Sequence, residues 1–429
     1  MKKILKLAVV KILNFEASII LKRHQPKIVA ITGSVGKTST KDAIYSAIKS
    51  SVYARKSEKS FNSEIGLPLT ILGLPNVWSN PFRWFKNIID GFFICIFTKS
   101  YPEVLVLELG VGEKGDMANY TKLIQPDIVV LTRLPEIPVH VEYFSTPQEV
   151  IEEKMQIVSS LKPEGVLIYN NDDVIIKKQL KEVLNRRVGF GRYLETDFTA
   201  RNDSIVYSDD RPVGVRFNVI HMGTDNNLII NDTVGTQHVY SCIAAIAVAD
   251  ELSIPVKIAV ESLNTLQTPP GRMRIVKGIK STTIIDDTYN SSPIACEQAL
   301  QALNEVKYQQ RKIAVLGDML ELGKYSSDEH QRIGSLVAEV ADVLLTVGVR
   351  ARQIAEGALS AGMSEKNIFQ YDDVNRAGTE LQTMLKPSDI ILIKASQPIR
   401  AEKIIEEIMA EPEKAQNLLV RQDEDWKKR

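Results

Sequence analysis

One stretch, residues 27–48, constrains this 429-residue chain more than any other. Lys27-Ile-Val-Ala-Ile-Thr32 is a short β-branched run that reads as a buried strand. Gly33-Ser34-Val35-Gly36-Lys37-Thr38-Ser39 follows, and the apolar spacing of the next residues is helical. A strand that turns through two glycines into a Lys-Thr pair at a helix start is a phosphate cradle. Gly33 and Gly36, with Ser34 and Val35 between them, let backbone N–H groups approach phosphate oxygens, and the helix N-terminus adds partial positive charge. Lys37 is placed to reach the β- and γ-phosphates, and the hydroxyl of Thr38, followed by Ser39, to ligate Mg²⁺. The reading is ATP binding with Mg²⁺. Only two residues separate the glycines, so the loop is shorter than the full G-x-x-x-x-G-K-[ST] pattern.

The rest of the chain repeats the βα rhythm. KIVAIT, VLVLEL, DIVVLT and GVLIYN are strand-like and alternate with helical runs, ending in the apolar helix CIAAIAVADEL. This predicts an α/β fold with a P-loop-type doubly wound central domain over 27–270. Arg186 to Asn231 is richer in Asp, Gly and alternating apolar residues, which suggests a small antiparallel insert at that domain's edge. Pro269-Pro270-Gly271 is the linker, and TTIIDD, KIAVLGD, VLLTVG and DIILIKAS are strands of a second, Rossmann-like α/β carboxy-terminal domain over 271–415. The polar tail 416–429 is expected to fray. Lys plus Arg and Asp plus Glu total 53 each, so a globally basic nucleic-acid binder is disfavoured. Cys95, Cys242 and Cys296 are far apart, which excludes a zinc ribbon or a disulfide framework and suits a reducing cytoplasm.

Residues 1–26 read as an amphipathic helix. Lys6, Lys11 and Glu16 interrupt its apolar run, which argues against an export signal or a spanning helix. Lys3, Lys11, Asn14, Ser18 and Lys22 fall near one stripe, with Leu5, Val9, Ile12, Ile19 and Ile20 elsewhere. Two readings stay open: a helix packed on the first domain, or a basic helix lying on a membrane surface. Residues 81–99, PFRWFKNIIDGFFICIFTK, share this character and are expected to form a buried helix.

A second chemical feature is the strand EVLVLELG, whose Glu108 falls where an open α/β sheet presents its ligands. A carboxylate there suits Mg²⁺ held against a nucleotide. Taken alone, His140 is a loop histidine, and Lys154, after Glu152 and Glu153, resembles a solvated helix charge.

These motifs occur in one order that resembles the Mur ligases, the ATP-dependent amide ligases of peptidoglycan precursor synthesis. ITGSVGKTST is similar to their T-G-x-x-G-K-[ST]-[ST] loop. FNSEIGLPLTIL (61–72, with Asn62), VLVLELGVGEKGDM (104–117), HVEYFSTPQEVIEEK (140–154) and PGRMRIV (270–276) resemble the segments that follow it. DDTYNSSP (286–293) and LGDMLELGKYSSDEH (316–330) resemble the MurF branch, whose members join D-Ala-D-Ala to a UDP-muramoyl tripeptide. The resemblance implies that Glu108 binds metal with Thr38. It also implies that His140 and a carbamylated Lys154 hold a second ion, and that His238, Arg272, Asp287, Tyr289 and Asn290 contact or approach the nucleotide. Lys37, Lys154 and His140 are then the catalytic set.

Departures accompany the match. Arg133 in LTRLPEIPVH stands near the family's usual Asn, and Gln237, His238 and Ser241 replace an Asn-rich nucleotide segment. In LIKASQPIRAEK, Lys394, Ser396, Arg400 and Glu402 match, while Ala395 and Gln397 depart. Only 32 residues precede Gly33, so the branch's amino-terminal UDP-sugar domain is expected to be missing. The acceptor therefore stays open between a UDP-muramoyl peptide and a lipid-linked one. Another amide ligase on the same fold and a non-catalytic nucleotide-binding partner are the alternatives. A monomer without nucleic acid, with peripheral membrane contact as one option, completes the expectation.

Overall fold

The computed structural model describes residues 3–58, 64–77, 80–307 and 311–427, so Asn62 lies outside the described residues. Nine strands form the first sheet: β1 Lys27–Thr32, β2 Ala54–Lys56, β3 Val104–Glu108, β4 Ile128–Leu131, β5 Val166–Asn170, β6 Arg186–Gly191, β7 Phe198–Ser208, β8 Arg211–His221 and β9 Thr224–Asn231. Their spatial order is β2-β3-β1-β4-β5-β6-β7-β8-β9. Strands β2 to β6 and β1 are parallel, and β7, β8 and β9 continue the sheet as an antiparallel meander. The expected antiparallel insert over Arg186–Asn231 is therefore the outer part of one sheet and starts only at β7, since β6 pairs in parallel with both β5 and β7.

Side-chain alternation explains why helices cover both faces. Val29, Ile31, Val106 and Val130 point into one core, and Ile28, Ala30, Leu107 and Leu131 into the other. Strands apolar on both sides cannot leave either face in water. Helices α1 Lys3–His24, α2 Lys37–Ile48, α3 Gly66–Leu72, α4 Pro81–Phe97, α5 Asp116–Leu123, α6 Pro147–Ser159, α7 Val174–Gln179 and α8 Gln237–Glu251 supply most of the cover. α2 packs on α8 on the first face, and α1 packs on α3 and α4 on the second. β1 sits between β3 and β4, so the chain leaves it where neighbouring connections run in opposite directions, the crevice in which open α/β sheets bind ligands.

The second sheet holds β10 Arg274–Lys277, β11 Thr283–Asp287, β12 Lys312–Gly317, β13 Val343–Val347, β14 Ile368–Tyr371 and β15 Ile390–Lys394, in the order β10-β11-β15-β12-β13-β14. All its pairs are parallel except β10 with β11. Asp287 and Lys394 are register partners at the ends of β11 and β15, which brings their side chains together.

Two expectations fail for identifiable reasons. The tail does not fray: Leu419 and Arg421 are buried, and Arg421 bonds the carbonyls of Thr288 (2.7 Å) and Tyr289 (3.2 Å) and the carboxylate of Glu402 (2.6 Å). A polar sequence can dock when a guanidinium finds a buried carboxylate. Arg421→Ala is expected to destabilise the fold by about 2 kcal/mol, the scale of one buried charge-assisted hydrogen bond, because Glu402 keeps Arg400 as its second partner. Chemical denaturation checks this; an unchanged midpoint would show that the tail contributes nothing.

Helix α4 is not a buried helix. It turns Trp84, Asn87, Gly91 and Cys95 inward and Phe82, Phe85, Phe92, Phe93 and Phe97 outward. Helix α1 packs on α4 and α3 and buries Val9, Leu13, Ala17 and Ile20, so the packed reading holds for this face of α1. Glu16 lies at the contact, where a side chain on Gly91 would come within 2.1 Å of its carboxylate, and burial pushes its pKa up to about 7.

Candidate active site

The loop after β1 adopts the expected cradle. Gly33 has φ +140°, and a Cβ there would lie 2.1 Å from Thr132 Oγ1 and 3.0 Å from the Arg133 amide, so only glycine fits. Ser34 N–H donates to the Arg133 carbonyl (2.7 Å), and Thr132 Oγ1 donates to the Val35 carbonyl (2.7 Å). The end of β4 thus moulds the loop. Gly36, at φ +87°, directly precedes α2. Gly33→Ala is expected to weaken ADP binding about 10- to 100-fold, the equivalent of 1–3 kcal/mol of backbone strain. Calorimetric titration measures this, and unchanged affinity would remove the loop from the nucleotide site.

Lys37 Nζ donates to the loop's own Gly33 (2.8 Å) and Ser34 (3.4 Å) carbonyls. Burial lowers its pKa, and Glu108 opposes that shift. Thr38 Oγ1 donates to Glu108 Oε1 at 3.2 Å, bringing the end of β3 to the start of α2. Ser39 is buried on the same turn. Lys41 Nζ, buried one turn along α2, lies 3.4 Å from Glu108 Oε2. Sequence reasoning missed Lys41, whose only signal was its i+4 spacing from Lys37.

The second domain reaches this loop. Arg272 Nη2 donates to Thr38 Oγ1 (3.3 Å), and its guanidinium lies 4.0 Å from the Tyr289 ring centre. Lys394 Nζ bonds Asp287 (2.6 Å) and the Asn290 carbonyl (2.9 Å). His238, expected at the nucleotide, donates Nε2–H to the Arg272 carbonyl (2.8 Å) and so holds Arg272. Ser34 Oγ, Gln237 Oε1 and Arg272 Nε are buried with no hydrogen-bond partner among the described residues, and all three residues line one small cavity with Asp287, Asn290 and Lys394. Buried polar atoms left open in this way are what a polar ligand satisfies. A second small cavity beside the loop, walled by Asn170, Phe190 and Tyr240, shares lining residues with a wider cleft of about 520 Å³ between the two domains. Arg133, Asp172, Arg192 and Tyr193 line that cleft.

Lys154 is not a solvated charge. Thr146 caps α6, whose inner face buries both Glu153 and Lys154. Glu153 Oε1 accepts the amides of Gly115 (3.0 Å) and Met117 (2.9 Å) at the start of α5. Burial, reinforced by the Lys37 charge, pushes the Lys154 amine down to about 7. His140, at φ +73°, turns elsewhere: its Nδ1 lies 2.7 Å from Glu321 Oε2 of the second domain. The structure therefore brings together Thr38, Glu108, Lys37 and Arg272 and engages His140 with Glu321. Among the described residues no cluster of three or more His, Cys, Asp or Glu side chains is arranged to hold a metal.

A glycine phosphate loop on one parallel sheet, closed by an arginine from a second, defines a two-domain P-loop nucleotide-binding protein. The Mur ligase middle domain matches residues 31–249, and the Mur ligase glutamate ligase domain matches residues 271–397. The chain belongs to the Mur ligase family. A UDP-N-acetylmuramoyl-tripeptide–D-alanyl-D-alanine ligase of Bacillus subtilis is 28% identical over 387 residues, covering 90% of this chain and 76% of that protein. The ligase of the same name from Mycobacterium tuberculosis is 27% identical over 390 residues, 86% of this chain and 70% of that one. The crystal structure of MurF ligase from Thermotoga maritima in complex with ADP superposes with a TM-score of 0.76 at 25% identity, covering 94% of this chain and 84% of that one.

Proposed function

We propose that this chain is an ATP-dependent amide ligase that joins D-Ala-D-Ala to a UDP-muramoyl tripeptide. The observation that supports it most is the meeting of Lys37, Thr38 and Glu108 with Arg272 from the second domain, in a chain whose relatives include ligases named for this reaction. An acceptor carboxylate oxygen attacks the γ-phosphorus of ATP, the bond to the ADP oxygen breaks, and an acyl phosphate forms. The D-Ala-D-Ala amine then attacks the acyl carbon, a proton leaves the nitrogen, and phosphate departs. Lys37 leaves the loop carbonyls for the phosphates and offsets their charge, and Arg272 bears on the same loop from the other domain. The cleft between the sheets holds the reactants away from water.

Thr38 and Glu108 fit a magnesium ion, because a hydroxyl and a carboxylate converge at the phosphate loop. When bound, that ion would offset phosphate charge. The second ion expected at His140 and Lys154 does not fit the observed pairing of His140 with Glu321. Lys154 suits carbamylation by its own chemistry: a neutral amine adds to CO₂, losing one proton, and its pKa of about 7 supplies that amine near neutrality. The carbamate would set a negative charge near Lys37.

The test is phosphate release from ATP across a panel of muramoyl peptides, each with and without D-Ala-D-Ala. Release that requires both the UDP-tripeptide and the dipeptide supports the reading. Release that prefers a lipid-linked or unrelated acceptor would move the assignment to another ligase of the fold.

A further inference from the structure

Helices α1 and α4 lie side by side on one face of the first sheet, and each sends one stripe into the core and one outward. On α4 the outward stripe is aromatic. Phe82 is 86% exposed and Phe97 67%, with Phe85, Phe92 and Phe93 between them at helical spacing. On α1, Leu7, Ile12, Phe15 and Ile19 are exposed. Soluble monomers rarely present so many large apolar side chains together without a partner.

Charge selects the partner. Residues 1–25 hold six Lys and Arg against one Glu, and 81–99 hold three against one Asp, in a chain that is neutral as a whole. Of the two acids, Glu16 is buried and Asp90 is bonded to Lys86 at 2.6 Å. Lys11 and Lys22 share the outward side of α1 with Phe15, and Arg83 and Lys86 are exposed beside the phenylalanines of α4. A second copy of the chain would set two such basic faces against each other. No described helix is long and apolar enough to cross a membrane. From this arrangement we infer that α1 and α4 form a docking face for an anionic lipid surface. The phenylalanines enter the boundary between headgroups and acyl chains, and the lysines extend along them to the phosphates. The attraction acts over about 8 Å at physiological ionic strength, so salt weakens it.

Vesicle sedimentation of the full chain tests this independently of the ligase reading. With equimolar phosphatidylglycerol and phosphatidylcholine at low salt, the protein is expected to pellet. Pelleting falls about tenfold or more with phosphatidylcholine alone, at high salt, or in a Phe85→Ser/Phe93→Ser variant. Leu184→Ser, at a fully exposed apolar residue outside the face, is expected to pellet like the parent. Unchanged thermal melting of the double variant shows that it remains folded. Failure to pellet with anionic vesicles, equal pelleting with neutral ones, or an unaffected double variant would overturn the inference. So would a dimer in sedimentation velocity that the double variant abolishes, without any vesicle binding.

Discussion

Lys37→Ala is expected to lower phosphate release from ATP by roughly 10²–10³-fold, the scale for removing one preorganised group that stabilises transferring charge. Thermal stability should change little, because among the described residues Lys37 Nζ bonds the carbonyls of its own loop and no distant element. The bonds of Ser34 N–H to the Arg133 carbonyl and of Thr132 Oγ1 to the Val35 carbonyl, which hold the cradle's backbone, remain in the variant, and only the bonds from Lys37 to the Gly33 and Ser34 carbonyls are lost. A steady-state phosphate assay with a parallel melting curve checks both halves. Near-normal turnover would mean that the nucleotide lies elsewhere.

The second large effect is at Lys154. Lys154→Ala should reduce ligation by about 10²-fold or more, given a catalytic charge lost from a buried site. High bicarbonate should not restore it, whereas short carboxylic acids, which can occupy the space of a carbamate, should do so in part. The pH dependence follows in sign. With its pKa lowered to about 7, Lys154 is an ammonium below that pH and cannot add CO₂, so wild-type ligation should rise as pH passes upward through about 7. Carbon-13 NMR in labelled bicarbonate should show a carbamate signal that the variant lacks. Full activity in Lys154→Ala would exclude the carbamate.

The parts of the molecule readable from the sequence were those whose chemistry is local. β1, the two-glycine turn and α2 follow one another, and their glycine requirement, periodicity and Lys-Thr pair need no distant contact. Glu108 was readable because a carboxylate closing an apolar strand lies at a sheet's ligand-binding edge. The short strands β2, β10 and β14 were not seen, since three or four residues are too few to show a period.

The remaining differences come from long-range pairing. His140 meets Glu321, and Arg421 meets Glu402 and the Thr288 carbonyl, because two domains and a tail come together, and no spacing rule encodes those encounters. At Lys154 the local pattern alone suggests a solvated charge after two glutamates, and only the family resemblance singles the residue out; in the fold Glu153 turns inward to cap α5 and Lys154 is buried beside it. Helix α4 was misjudged by composition, since an aromatic segment resembles a core helix until its neighbours show that only one stripe is covered.

Transfer of oxygen-18 from the acceptor to phosphate distinguishes ligation through an acyl phosphate from plain ATP hydrolysis. UDP-muramoyl tripeptide labelled with oxygen-18 in the acceptor carboxylate is incubated with the protein, ATP, Mg²⁺ and D-Ala-D-Ala, and both products are weighed by mass spectrometry. The pentapeptide product is expected to retain one labelled oxygen at the new amide, with the other in the released phosphate, because the acceptor oxygen attacks phosphorus and leaves with it. Unlabelled phosphate, or phosphate released without any pentapeptide, would contradict it.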